Sequence, residues 1–334
     1  MKKLVVTVVA LGAIIWWLTQ RVDLTEAWTA LGEAHWQWLV LAVVVQFTNI
    51  YTKGVRWAFA IEGAIGERPR SLVFRSTMMG FAGNFVMPAR MGELLRAAIL
   101  HRHNPGVGYT RALASAALTQ FFDLIYLLCI LAGFALMGVG SQLVSPYAAM
   151  TFLAAALGAL VVVFVFAWRG DWVEQVLDKL LGDREGLPAR IKNIVHSIHD
   201  SSQLVRNPRF FAPIFGLSTL CWIFEISTVW CGMLAFGIDA SPSMAGLTMV
   251  ALALSFALPI TPGNVGTHQV VSVLVLGYFG IAESTVLAFS IGLHFTIALS
   301  IIGVGGVMLA MEGMGLKELQ EEIEAEKKAL ARET

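Results

Sequence analysis

The chain has 334 residues, of which 57% are apolar and only 14% charged, and its formal net charge is zero. A soluble domain carries about 25% charged residues, and one water-facing core stops growing near 250–300 residues, so much of this apolar surface must face lipid. Zero net charge leaves no basic face for nucleic acid and no acidic tail.

A spanning helix needs roughly 20 mostly apolar residues. Segments 3–19, 36–58, 112–138, 147–168, 211–236 and 285–311 qualify. The first has no small-residue cleavage site and ends in Trp16–Trp17, so it reads as an uncleaved anchor. Trp16, Trp17, Trp36, Trp38, Trp57 and Trp168 fall near span ends, as an interfacial aromatic belt would, while Trp222 and Trp230 lie deeper and read as packing residues. Cys129, Cys221 and Cys231 sit inside apolar stretches without metal-ligand spacing and read as small hydrophobes. Between 169 and 210 the chain turns polar, and VEQVLDKLL and ARIKNIVHSIHD each show helical periodicity, giving an amphipathic linker. Residues 312–334 form a charged helical tail in water.

Two further apolar stretches, 72–88 and 244–260, end in F-x-x-P-x-x-x-G: Phe85, Pro88 and Gly92 correspond to Phe256, Pro259 and Gly263. Proline removes a backbone donor and glycine loosens the chain, so each site breaks a helix at membrane depth. If both stretches are re-entrant hairpins and Lys2 and Lys3 are cytoplasmic, every one of the 23 Lys and Arg residues except Arg21 lies on or open to the cytoplasmic side. Both termini are then cytoplasmic. The spans 112–138, 147–168 and 211–236 separate the hairpins, which therefore enter from opposite faces. The expected fold is an all-α integral membrane protein with about six full spans and two re-entrant hairpins in an inverted repeat. It forms a single transmembrane domain, 1–311, with the first repeat near 36–138 and the second near 211–311. Inverted repeats with broken helices recur in secondary transporters.

Arg90, Glu93 and Arg96 follow the first break. Each charge at bilayer depth costs roughly 2.5–3.5 kcal/mol, so the three must pair or face a polar cavity. Arginine forks suit phosphate or carboxylate, and broken-helix N-termini add exposed N–H groups. The competing reading is an interfacial cluster that sets the depth of the hairpin. Asp123, with Gln120 one turn before it, needs a counter-ion, and Arg90 and Arg96 are the candidates. Glu225, mid-span, fits a proton-coupling site, a counter-ion or a protonated carboxyl on a backbone carbonyl. In the second hairpin Thr261, Asn264, Thr267, His268 and Gln269 offer neutral hydrogen-bonding groups for a headgroup, and His268 and His294 titrate near neutrality if exposed. Pro88, Gly92, Pro259, Pro262, Gly263 and Gly266 read as structural helix breaks. No phosphate loop, G-x-S-x-G, H-E-x-x-H or C-x-x-C occurs, so no enzyme, metal site or cofactor is expected.

Arg56–Trp57, then N-x-x-x-P-x-x-x-G-E-x-x-R on Asn84, Pro88, Gly92, Glu93 and Arg96, then L-P-x-x-P-G-x-x-G on Leu258, Pro259, Pro262, Gly263 and Gly266 resemble the family named after the lysylphosphatidylglycerol synthase transmembrane region, also called flippase-like. The resemblance covers roughly 35–310. In the bifunctional members a soluble aminoacyl transferase domain follows, which this sequence does not contain, and the acidic residue often seen after the last glycine is replaced here by His268 and Gln269. The resemblance implies a lipid translocase in the cell membrane, acting on a phospholipid or polyprenyl phosphate. Membrane lipids are its expected partners, with a homo-oligomer or a lipid-synthesis enzyme as further ones. The alternatives are a subunit or membrane enzyme of glycolipid or aminoacyl-lipid synthesis, with Arg90, Glu93 and Asp123 as site residues, or a secondary transporter of a soluble anion.

Overall fold

The computed structural model describes residues 12, 16–65, 69–87, 91–139, 146–181, 192, 195, 196, 199, 202–257 and 261–313. Most of the 3–19 span, most of ARIKNIVHSIHD and nearly all of the charged tail lie outside the described residues, as do Pro88, Arg90 and Pro259. Among the described residues every regular element is helical.

A short helix α1 (Leu24–Gly32) is capped by Asp23, whose carboxylate accepts from the Thr25 and Glu26 N–H groups. Then come α2 (Trp36–Ile65), α3 (Arg70–Val86), α4 (Gly92–His103), α5 (Tyr109–Leu136), α6 (Pro146–Leu181), α7 (Pro208–Ala235), α8 (Pro242–Ala257), α9 (Thr267–Tyr278) and α10 (Glu283–Met311). Long apolar helices run through α2, α5, α6, α7 and α10, five in number among the described residues, and each can cross a membrane. They match the expected spans from 36 onwards. Helix α6 is interrupted at Arg169 (φ −129°, ψ 17°), next to the expected span end at 168, and VEQVLDKLL forms a second helical segment beyond the kink that runs to Leu181.

The ends follow local chemistry. Pro208 and Pro242 open α7 and α8, where a missing N–H costs nothing. The Asn207 side chain accepts from Arg209 N at 3.0 Å. Helix α3 stops at Val86 because Met87 is extended (φ −89°, ψ 143°), the conformation a following proline imposes.

Side-chain contacts set the directions. Glu62, Arg56 and Gln46 of α2 meet Arg209, Ser218 and Thr228 of α7, so these two helices are antiparallel. Phe122 and Tyr126 of α5 pack on Phe211 and Phe215, so α5 runs parallel to α7. Helix α10 runs antiparallel to α3, with Glu312 beside Arg75 and His294 beside Phe85. Helices α3 and α4 form an antiparallel hairpin whose open end is pinned by Glu312, which holds both Arg75 and, at 2.8 Å, His103. The α8–α9 hairpin opens at the other end of the bundle, between the end of α7 and the start of α10. The two tips meet: a Cβ on Gly263 would lie 3.3 Å from the Phe85 carbonyl oxygen. The apolar core divides into two large clusters and a small third one of Ile50, Met78, Ala82 and Ile301, where α2, α3 and α10 meet.

The first hairpin closes through glycines. Cβ atoms on Gly80 and Gly83 would come within 2.8 Å of the Gly92 oxygen and 2.9 Å of Leu95, the small-residue contact that lets membrane helices approach closely. Asn84 Oδ1 accepts from Gly92 N at 2.9 Å, tying the first residue of α4 back to α3. Asn84→Ala orphans that donor and is expected to cost about 1 kcal/mol, by analogy with a lost helix cap. Asn84→Asp, which keeps the acceptor, should retain most of the stability in detergent unfolding.

Candidate functional site

Where the helices adjoin, six charged residues form three pairs on four helices, α2, α4, α5 and α7. Glu93 and Arg96, on successive turns of α4, meet at 2.5 Å. Glu93 also accepts from Gln120 of α5 at 3.1 Å. The Arg96 guanidinium lies 4.7 Å over the ring of Trp57, and Trp57 donates to Ser115 of α5 at 2.9 Å. Trp57 is fully buried, so it is a core residue supporting Arg96 and not part of an interfacial belt.

Asp123 takes a different partner from those expected. Arg56 of α2 grips it at two points, 2.5 and 2.8 Å, and donates to Ser218 of α7 at 2.9 Å. Arg96 is committed to Glu93, and Arg90 lies outside the described residues. The bidentate fork favours Arg56 for a physical reason: planar guanidinium and planar carboxylate match edge to edge. Glu225 is a counter-ion as well, held at 2.7 Å by Lys53, whose ammonium sits 5.2 Å over Phe81 of α3. Lys53 and Arg56 are the residues that sequence reasoning missed. Their signal was the run of polar positions Gln46, Asn49, Lys53 and Arg56 at spacings of three and four along one apolar helix.

As a set, Lys53, Arg56 and Arg96 balance Glu93, Asp123 and Glu225. An incoming anion must therefore compete with a carboxylate, and the weakest hold is on Arg96. Its contact with Glu93 is short but misaligned, so Nε and Nη2 of Arg96, both buried, make no hydrogen bond. Beside this pair a cavity of about 390 Å³ opens between α4 and α5, lined by Leu113, Ala116, Ala117, Phe121 and Leu124, with Glu93 and Gln120 as its polar members.

At the second hairpin most expected ligands have local duties. Thr261 donates to the Val265 carbonyl at 2.6 Å and lies 3.4 Å from Thr267. Gln269 accepts from Gly266 N at 2.7 Å, capping α9. Pro262, Gly263 and Asn264 make a tight turn with positive φ at Gly263 (59°) and Asn264 (56°), and Gly266 has φ 85°, a conformation that glycine supplies without strain. Among the described residues there, Asn264 Oδ1 and His268 Nδ1 are the buried side-chain atoms without a hydrogen-bond partner. The His268 ring stacks on His294 at 4.5 Å. Among the described residues no group of three His, Cys, Asp or Glu side chains could hold a metal ion.

Two hairpins meeting tip to tip beside paired charges fit the resemblance read from Asn84–Arg96 and Leu258–Gly266, and the family comparison decides it. Residues 3–305 match the family described as lysylphosphatidylglycerol synthase TM region. The chain belongs to this family. Two relatives of comparable length are UPF0104 membrane proteins of Methanothermobacter thermautotrophicus. One is 23% identical, with 81% of this chain covering 80% of the relative; the other is 24% identical, with 84% covering 86%. A third relative, glycosyltransferase AglD of Haloferax volcanii, is 24% identical over 92% of this chain but only 54% of its own length. No solved structure matches the chain. It is a multi-pass membrane protein of the lysylphosphatidylglycerol synthase TM region family.

Proposed function

We propose that this family member carries a lipid with an anionic headgroup, a phospholipid or polyprenyl phosphate, between the leaflets, with both termini on the cytoplasmic side. The observation that carries the reading is Arg96: a buried guanidinium whose Nε has no hydrogen-bond partner and whose Nη2 meets Glu93 only as an ion pair, beside a cavity that is apolar apart from Glu93 and Gln120. A phosphate on Arg96 makes charge-assisted bonds in a setting of low dielectric, while the acyl chains stay in the hydrocarbon that the apolar wall faces. Glu93, displaced from Arg96, keeps its hydrogen bond from Gln120. The phosphate thereby replaces one carboxylate and leaves no cation unpaired.

Purified protein in liposomes with labelled lipids of different headgroups tests this. A charge-assisted hydrogen bond contributes about 1.5–3 kcal/mol, so Arg96→Ala is expected to slow movement of an anionic lipid about 10- to 100-fold and to spare a neutral one. Equal rates for variant and wild type, or no lipid movement by wild type, would overturn the reading. A second reading has one observation in its favour: close to half of the glycosyltransferase relative lies outside the match. On that reading the chain is the membrane partner of a separate glycolipid enzyme. Lipid binding without movement, together with co-purification of such an enzyme, would select it.

A further inference from the structure

Helix α2 buries a polar seam against α7 that a merely structural contact does not need. From one end it runs through Glu62–Arg209 at 3.2 Å, Arg56–Ser218, Lys53–Glu225, then Asn49 and Gln46, with Thr228 donating to Gln46 at 3.3 Å. From residue 62 to residue 46 is about 24 Å of helix, against a hydrocarbon thickness of about 30 Å. Polar groups in lipid are costly, and where they persist they mark ion or substrate paths.

Inside the seam, away from the Glu62–Arg209 pair at its end, the two described ion pairs differ in how the carboxylate is held. Arginine does not lose its proton, and Asp123 is clamped at two points by Arg56. Glu225 has a single contact to Lys53, and both side chains retain some exposure, 17% and 16%. Around the pair the ionisable neighbours are Arg56 on α2, Asp123 on α5 and Cys221 on α7, and α3 presents the Phe81 ring. One turn before Lys53, Asn49 is fully buried and its Oδ1 has no partner.

We propose that the Lys53–Glu225 pair is a proton-binding site that couples proton entry to movement of the anionic headgroup; the coupling rests on the translocase reading above. A proton from water bonds to a Glu225 carboxylate oxygen and the ion pair breaks. Lys53 keeps its hydrogens and its charge, and its ammonium turns to Asn49 Oδ1. The pair passes from net zero to one positive charge, which one negative charge on the headgroup balances. Because Lys53 rests on Phe81, the change reaches the first hairpin directly.

Infrared difference spectroscopy of the full chain in liposomes, acidified from neutral pH, tests the site itself. The expected result is a protonated-carboxyl band that shifts when glutamate side chains are isotopically labelled, is absent from Glu225→Gln and persists in Glu93→Gln and Glu225→Asp. No band, or one that glutamate labelling leaves unmoved, overturns the site whether or not lipid moves or Glu225→Gln folds. In the same liposomes a gradient of one pH unit should shift the leaflet ratio of an anionic lipid by up to about tenfold, the limit for one coupled proton, and leave Glu225→Gln unaffected. Lipid movement indifferent to the gradient overturns the coupling while leaving the translocase reading standing.

Discussion

Replacing Arg56 by glutamine is expected to destabilise the protein by about 3–5 kcal/mol, the cost of breaking a buried ion pair from one side. Arg56 is 2% exposed and donates two hydrogen bonds to Asp123 and one to Ser218. Its loss strands a carboxylate among α2, α5 and α7. Asp123→Asn alone should cost less, because Arg56 keeps Ser218 and the asparagine carbonyl still accepts. The double variant Arg56→Gln, Asp123→Asn removes both charges and should recover most of the loss, since replacing a whole buried pair is often close to neutral. Equilibrium unfolding in mixed detergents gives all three values, and the cycle isolates the pair. A single-variant loss below about 1 kcal/mol would mean that water reaches Asp123 and that the charged layer is not buried.

The five spans from Trp36 onwards and both breaks were legible because they follow from local rules: hydrocarbon thickness sets the length of an apolar run, and Pro88 and Pro259 interrupt two further ones. The opposed hairpins followed from the distribution of Lys and Arg. Arg56 was not legible in the same way. The expected span of 36–58 puts Arg56 at its end, where an arginine beside a tryptophan is ordinary. The helix instead continues to Ile65, which moves Arg56 and Trp57 inward by two turns and buries both. Helix continuation past a plausible boundary is a tertiary effect: Glu62 is held by Arg209 on α7, and nothing near Glu62 in sequence announces that partner. The second hairpin shows the converse. Thr261 and Gln269 look like ligands in sequence because they are polar at membrane depth, yet a broken helix must also satisfy its own freed backbone groups, and these side chains do that first.

Gly92→Val is expected to disable the protein by a different route, forcing open the hairpin that carries Glu93 and Arg96. A Cβ at Gly92 would collide with the Gly80 carbonyl oxygen and with the Asn84 side chain, and neither can yield. The first is backbone of a packed helix, and the second is already bonded to the N–H of Gly92. Overpacking of this kind costs typically 1–3 kcal/mol and occasionally more, and here the strain has one outlet, the parting of α3 from α4. That movement carries Glu93 and Arg96 away from Gln120 and Trp57, so the proposed headgroup site is lost together with stability. Gly92→Ala should show the same effect in weaker form. The matched control is Gly277→Ala in α9, where an added Cβ has nothing within 4 Å and a small gain in stability is expected from the stiffer unfolded chain. Unfolding measurements and lipid movement in the same preparations distinguish the outcomes. If Gly92→Ala folds and moves lipid as well as Gly277→Ala does, the hairpin is not closed through Gly80 and Gly92, and the site built on it is misplaced.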